Sequence, residues 1–125
     1  MTTVSDHMTR GVRAMSPRDT AQAAAQAMAE LDVAVIPVCD GGRLVGMVTD
    51  RDITVRGVAR GLPPAHTPLG YLMNAELVCC YEDESVEDVV TRMRHARVRR
   101  LPVVDRRRRL VGMLLLGEPS EVHAW

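Results

Sequence analysis

The stretch VIPVCDGGRLVGMVTDRD, residues 35–52, decides the fold because a near copy, LPVVDRRRRLVGMLLLGE, follows at residues 101–118. In each copy an apolar run containing proline leads through an aspartate-headed turn into Leu-Val-Gly-Met. The register holds over most of the chain, and an internal repeat of this kind predicts two copies of one structural unit. The positions that recur 65 or 66 residues later are Met8, Met28, Val33, Pro37, Val38, Asp40, Leu44, Val45, Gly46 and Met47.

Each half of the chain reads as a β-α-β-β-α unit, from its apolar periodicity and its capping residues. We predict an α/β fold of the α+β type, with two pseudo-symmetric repeats packed as one module. Repeat 1 is expected at 5–61, a linker at 62–69, and repeat 2 at 70–125 with a shortened last helix. Helices are predicted over 20–31, 51–60 and 86–96, and strands over 12–15, 33–38, 44–49, 77–80, 98–104 and 110–116.

The predicted helices should turn one apolar face to the core, because their apolar residues recur at helical spacing. The face of the first helix comprises Ala21, Ala24, Ala25, Met28 and Leu31, and that of the helix over 86–96 comprises Val86, Val89, Val90 and Met93.

Length and charge limit the classes of function. The chain has 125 residues and equal numbers of basic and acidic side chains, 16 of each. This balance argues against a dominant nucleic-acid or membrane field. No apolar run approaches the length of a membrane span, and the first residues do not resemble a signal peptide. We therefore expect a cytoplasmic protein that does not contact a membrane.

The segment from Gly46 to Asp52 is the strongest candidate site. A buried strand is expected to end at Thr49 where a helix begins, and free N–H groups at a helix start suit a phosphate. Asp52 lies one turn along and suits sugar hydroxyls, while Arg51 offers a charge-assisted bond to phosphate. The alternative is that Thr49 and Asp52 only cap the helix as a capping box.

Two β-α-β-β-α copies with these paired strand motifs resemble a tandem pair of CBS domains, named for cystathionine β-synthase. The segment Gly46–Asp52 matches that family's ligand motif, Gly-x-x-Thr/Ser-x-x-Asp. The chain is most similar to short stand-alone bacterial pairs, including the hypoxic-response type, which share the run Thr-Asp-Arg-Asp-Ile. The resemblance implies a regulatory stress-response module that dimerises and binds an adenine nucleotide or adenosyl compound in the cleft between its repeats.

Residue roles follow from the resemblance. Thr49 would meet phosphate and Asp52 the ribose hydroxyls, with Asp50 and Arg51 between them in the motif. The other implied ligand contacts are Val35, Ile36, Met73, Asn74 and Arg100. Possible ligands are AMP, ADP, ATP, adenosine and S-adenosylmethionine, and no cofactor is expected to be required. We expect a homodimer with faces around Arg51–Arg60 and the C-terminal segment, and a regulated protein partner.

The second copy departs from the motif. Leu115 stands in place of Thr49, Leu116 in place of Asp50, and Glu118 aligns with Asp52. A leucine cannot donate to phosphate, whereas the second copy alone has an arginine pair, Arg99 and Arg100, before its Leu-Pro. The pattern leaves open one composite site, a non-phosphorylated ligand such as adenosine, or no ligand.

The remaining polar residues favour structural roles. Arg106–Arg109 is expected to form a solvated turn, although nucleic-acid binding by this arginine-rich half is an alternative. The cysteines Cys39, Cys79 and Cys80 lack metal-ligand or redox spacing, and the four histidines are scattered, so we predict no metal site. A zinc site that the histidines form only in space is the alternative. No nucleophile–base arrangement is legible, and we expect no enzymatic activity. A ligand-free interaction or stress-response scaffold remains the main rival to a sensor.

Overall fold

The structure, a computed structural model, describes residues 2–76 and 78–116. The prediction of a mixed helix and strand fold is confirmed. In chain order the main elements are α1 (Ala21–Leu31), β1 (Val35–Asp40), β2 (Arg43–Thr49), α2 (Asp50–Asp52), β3 (Cys80–Tyr81), α3 (Val86–Ala96), β4 (Arg100–Val104) and β5 (Leu110–Leu115). The α2 turn continues through a π-helical turn, Ile53–Gly57, and a 3-10 turn, Val58–Arg60. Further 3-10 turns are Val4–Asp6, Pro64–His66 and Leu69–Tyr71.

Helices α1 and α3 occupy equivalent places in the two repeats and end alike. The residue after each helix is left-handed although neither is glycine: Asp32 has φ 55° and Arg97 has φ 57°. At the start of α1, Thr20 accepts a hydrogen bond from the Ala23 N–H at 3.1 Å. This contact satisfies one of the amide groups that every helix leaves open at its first turn.

The expected core face of α1 was partly wrong. Ala21, Ala24, Ala27 and Met28 are buried, whereas Ala25 is exposed and Leu31 is 42% exposed. Alanine recurs on several sides of this helix, so its apolar residues form no distinct stripe from which one face can be chosen. In α3, Val89 and Met93 are buried, and Val86 and Val90 are half-buried.

Each repeat pairs its strands in the same pattern. Strands β1 and β2 form one sheet, and β3, β4 and β5 form another. The strand predicted over 12–15 is reduced to Met15, which makes a parallel bridge to Val38. Its counterpart is the parallel pair of Cys80 and Val103, 65 residues later. The internal repeat is therefore present in the strand pairing as well as in the sequence.

The chain divides into two compact bodies that do not coincide with the two repeats. Body 1 comprises residues 13–41 and 45–76, and body 2 comprises residues 2–12, 42–44 and 78–116. Body 1 thus contains the segment that leads into repeat 2, and body 2 contains the N-terminal segment that leads into repeat 1. The predicted bounds of the two repeats, 5–61 and 70–125, describe the sequence duplication and not these bodies, and they stay a prediction.

The exchanged leading segments are hydrogen-bonded in equivalent ways. In body 1, Asn74 and Met47 exchange backbone hydrogen bonds of 2.8 and 3.1 Å. In body 2, Thr9 and Met113 do the same at 2.8 and 2.9 Å. Each leading segment therefore adds an antiparallel bridge beside the Leu-Val-Gly-Met strand of its body.

Both bodies have an apolar core of their own. The core of body 1 includes Ile36, Val38, Val48, Leu69 and Leu72, and that of body 2 includes Val4, Cys80, Val89, Met93 and Val103. The predicted last turn of repeat 2, over 117–125, lies outside the described residues. Over residues 2–76 and 78–116, no helix is both long and apolar enough to cross a bilayer.

Candidate functional site

Thr49 and Asp52 cap the helical stretch reciprocally. Oγ1 of Thr49 accepts from the Asp52 N–H at 3.0 Å, and Oδ2 of Asp52 accepts from the Thr49 N–H at 2.9 Å. This is a capping box with aspartate at its third helical position. The structural role considered in the sequence analysis is thus present. The Thr49 O–H remains a possible donor, because in this contact the oxygen only accepts.

The second oxygen of Asp52 has a different environment. Oδ1 faces Nε of Arg56 at 3.8 Å, and the side chain of Asp52 is 16% exposed to solvent. A separation of 3.8 Å is an ion-pair distance that exceeds hydrogen-bond length. Oδ1 can therefore accept a hydrogen bond from a ligand hydroxyl while Oδ2 keeps its bond to the Thr49 N–H.

Asp50 and Arg51, the other motif residues, are both exposed. The Asp50 N–H donates to the Ala34 carbonyl at 2.9 Å, which holds the end of β2 beside the start of β1. Its Oδ1 accepts from the Arg51 N–H at 2.8 Å. The start of the stretch therefore presents two carboxylates and one guanidinium within three consecutive residues.

The other proposed contacts of body 1 differ in accessibility. Val35 and Ile36 are only 4% and 1% exposed, so their side chains offer almost no surface to a ligand. Met73 is half-buried and Asn74 is exposed, and both belong to the leading segment that pairs with β2. The accessible part of the candidate site is thus formed by the helix start and the leading segment.

Gly46 fixes how closely the leading segment approaches β2. A Cβ added at Gly46 would lie 2.8 Å from Sδ of Met73 and 3.0 Å from the carbonyl oxygen of Asn74. Only a glycine accommodates this approach without displacing the segment. The glycine of the ligand motif therefore has a packing role, and the next residue, Met47, makes the backbone hydrogen bonds to Asn74.

Body 2 repeats this geometry with different side chains. The Leu116 N–H donates to the Arg99 carbonyl at 2.7 Å, which is the counterpart of the Asp50–Ala34 bond. Arg100, the remaining predicted contact, is half-buried in body 2 and pairs in register with Leu115. Leu115 occupies the place of Thr49, so body 2 lacks the hydroxyl. Arg100 occupies the place of Val35, so body 2 has a guanidinium where body 1 has an aliphatic side chain. Glu118 lies outside the described residues.

Two of the three cysteines have raised thiol pKa values. Burial raises the pKa of Cys80 to about 12, and it also raises the pKa of Cys39. Such thiols stay protonated near neutral pH and make weak nucleophiles and metal ligands. Within residues 2–76 and 78–116, no three His, Cys, Asp or Glu side chains are grouped closely enough to hold a metal ion.

A family model describes almost the whole of this arrangement. The model of the CBS domain matches residues 4–57 and again residues 69–118. The chain belongs to the CBS domain family. The resemblance read from the sequence, a tandem pair of CBS domains, is confirmed.

Two bacterial relatives are similar over most of their length. The CBS domain-containing protein YhcV of Bacillus subtilis is 42% identical over 94% of this chain and 83% of its own. Hypoxic response protein 1 of Mycobacterium tuberculosis is 39% identical over 91% of this chain and 80% of its own. The expected similarity to the hypoxic-response type is thus confirmed.

Solved CBS structures have the same fold. A crystal structure of Hypoxic Response Protein I with two coordinated zinc ions has a TM-score of 0.81, at 38% identity over 91% of this chain and 92% of that one. CBSX2 in complex with AMP has a TM-score of 0.80, at 26% identity over 92% and 90% of the two chains. The CBS domain pair of MJ0100, in complex with 5-methylthioadenosine and S-adenosyl-L-methionine, has a TM-score of 0.76, also at 26% identity over 92% and 90%.

Sequence reasoning did not single out Arg56, although a signal was present. Asp52 and Arg56 are four residues apart, the spacing at which opposite charges meet on a helix. The Leu72 carbonyl that Arg56 also contacts was not predictable, because that contact depends on which leading segment enters body 1.

Proposed function

We propose that this CBS pair is a regulatory module that binds an adenine nucleotide or an adenosyl compound at the start of the helical stretch after β2. The observation that carries the proposal is that the two carboxylate oxygens of Asp52 have different environments. One oxygen completes the cap with Thr49, and the other is left for a hydroxyl donor. A ribose hydroxyl suits such an acceptor, as in other nucleotide sites.

The similar structures support this class of ligand. CBSX2 is described with AMP, and the CBS pair of MJ0100 with 5-methylthioadenosine and S-adenosyl-L-methionine. The adenosyl group, adenine joined to a ribose, is the part that these compounds share. In this proposal Thr49 meets a phosphate or another 5′ substituent, Asp52 holds the ribose, and Asn74 borders the site.

The module would act by differential binding rather than by catalysis. A ligand shifts an equilibrium only by the difference between its affinities for the two states. Thr49 and Asp52 are tied to the helix start, and Asn74 is tied to β2, so occupancy would favour one arrangement of these elements. A regulated protein partner would read that arrangement.

We also propose that the functional form is a homodimer. Val55 and Val58 are 45% and 59% exposed on the helical stretch after Asp52. Interaction surfaces are marked by large contiguous apolar patches, and in this proposal the two valines form the centre of such a patch. The C-terminal part of the proposed dimer face lies outside the described residues.

The first test is thermal denaturation with AMP, ADP, ATP, adenosine and S-adenosylmethionine. A ligand at 100 times its dissociation constant stabilises the native state by about 2.7 kcal/mol, which raises the melting temperature of a chain this long by about 10 °C. No shift with any of the five compounds would favour the ligand-free scaffold.

A matched pair of cap variants separates binding from capping. Thr49→Ala and Thr20→Ala each remove an N-cap side chain, so each should cost about 1 kcal/mol of unfolding free energy. Only Thr49→Ala should also abolish the ligand-induced rise in melting temperature. If the two variants respond to ligand equally, Thr49 serves only as a cap.

A further inference from the structure

Arg56 contacts both the carboxylate of Asp52, which is proposed to bind the ligand, and the leading segment of repeat 2. Its Nε lies 3.8 Å from Oδ1 of Asp52, and its Nη1 donates to the Leu72 carbonyl at 3.4 Å. Leu72 is 1% exposed, so this carbonyl is fixed within the core of body 1. One side chain therefore joins the helical stretch that carries Asp52 to the segment that carries Asn74.

The local backbone places Arg56 against the carboxylate. Residues 53–57 form a π-helical turn, in which the Val58 N–H donates to the carbonyls of both Ile53 and Thr54. Such turns interrupt the regular α-helical spacing and are frequent at functional sites. Gly57 adjoins Leu72, and an added Cβ there would lie 3.6 Å from a Leu72 methyl group. The turn therefore lies directly against the leading segment.

The charge of Arg56 matters because the helix start is acidic. Asp50 and Asp52 contribute two carboxylates, and Arg56 places a guanidinium within ion-pair distance of Asp52. Loss of this cation would leave Oδ1 of Asp52 without its charged partner, although Oδ2 stays bonded to the Thr49 N–H, and would make the site more negative. A more negative site disfavours an anionic ligand more than a neutral one.

Resting on the proposed function, we propose that Arg56 is a positioning residue that holds Asp52 in place and lets the site accept a phosphorylated adenosine. It acts through Asp52 and does not need to touch the ligand. The Leu72 contact fixes the guanidinium from the other side, so that Oδ1 is oriented without being consumed by a hydrogen bond.

The test compares two probes that differ in charge, AMP and adenosine, by titration calorimetry. In Arg56→Gln, AMP should lose about fivefold or more affinity relative to adenosine, because one positive charge beside the site is gone. Arg60→Gln is the matched control, since it removes the same charge from an exposed residue one turn along. Its ratio of AMP to adenosine affinity should equal that of the wild type.

Arg56→Lys separates position from charge. The ammonium keeps the charge but lacks the planar fork that reaches both Asp52 and Leu72. The affinity ratio should therefore be preserved, while both probes bind more weakly than to wild type. Unchanged affinity for both probes would contradict the positioning role, and this variant decides the matter even if Arg56→Gln does not fold.

The outcomes distinguish this inference from the function on which it rests. A wild type that binds either probe, together with an unchanged ratio in Arg56→Gln, overturns the role of Arg56 and leaves the sensor intact. A wild type that binds neither AMP nor adenosine overturns the role of Arg56, and the proposed function falls as well when ADP, ATP and S-adenosylmethionine also fail to bind.

Discussion

The two glycines of the repeated Leu-Val-Gly-Met motif are constrained by what packs on them. A Cβ at Gly46 would lie 3.0 Å from the Asn74 carbonyl oxygen, and one at Gly112 would lie 2.8 Å from that of Thr9. A methionine Sδ is also within 2.8 Å of each added Cβ, but a thioether moves more easily than a backbone. The backbone contacts therefore set the cost of substitution.

Gly46→Ala and Gly112→Ala should each lower the free energy of unfolding by about 1–3 kcal/mol, because the leading segment must move away from the strand. Gly70→Ala is the control, since its Cβ would meet Pro17 at an ordinary 3.5 Å. Urea denaturation measures all three. Equal stability of the three variants would show that the leading segments are not held closely at Gly46 and Gly112.

At the scale of elements, the two hairpin turns use different chemistry at equivalent places. The first has Gly41 and Gly42, with φ 59° and 84°. In the second, Oδ1 of Asp105 accepts from the N–H groups of Arg107 and Arg109, both at 2.9 Å. Oδ2 of Asp105 also pairs with the Arg109 guanidinium at 2.9 Å. The carboxylate of Asp105 thus organises a turn that lacks glycine.

This turn should make stability depend on pH. Hydrogen bonds from the Arg109 and Arg107 backbone, together with the Arg109 side chain, lower the pKa of Asp105 below its ordinary value of 3.8. The ionised form is favoured in the native state, so the contribution is present above pH 3.8 and is lost as the pH falls through the lower native pKa.

Asp105→Asn should therefore be less stable than wild type at neutral pH, and the difference should shrink in acid. Urea denaturation from about pH 7 to about pH 2 measures this dependence. Asp32→Asn removes the same charge at an exposed left-handed position that asparagine tolerates, and serves as the control. A stability difference for Asp105→Asn that does not change with pH would contradict the assignment.

The elements that sequence predicted best are those with a local signal. Thr20 and Ser85 preceded the helices at 21–31 and 86–96, and the turn residues separated β1 from β2 and β4 from β5. The π-helical turn at 53–57 was not predictable, because its apolar pattern does not distinguish i+4 from i+5 bonding. The strand at 12–15 was overestimated, since only Met15 finds a partner.

The candidate site was predictable in part for the same reason. Thr49 and Asp52 are three residues apart in the sequence, and this spacing already predicts the capping box that they form. Contacts that join distant parts of the chain required the structure: Arg56 with Leu72, and Met73 with Gly46. The resemblance implied that Met73 and Asn74 lie near the site, but the periodicity of the chain did not.

At the scale of the whole molecule, the proposed dimer face rests on Val55 and Val58. Val58→Glu should dissociate the dimer, because burying a new carboxylate in an apolar interface is costly. Leu31→Glu is the control, since Leu31 is also an exposed aliphatic residue, at 42%, but lies on α1. Sedimentation equilibrium measures the association. A monomeric wild type, or equal dissociation by Leu31→Glu, would contradict the proposed face.

The exchange of leading segments bears on how such a chain arose. Thr9 finds its backbone partner in the second copy at Met113, and Asn74 finds its partner in the first at Met47. A single copy would leave its leading segment without a strand to join, unless a second polypeptide supplied one. A half-length ancestor with this topology would have needed a second copy of itself to supply the missing strand. In the present chain both copies belong to one polypeptide, so the exchange does not depend on protein concentration.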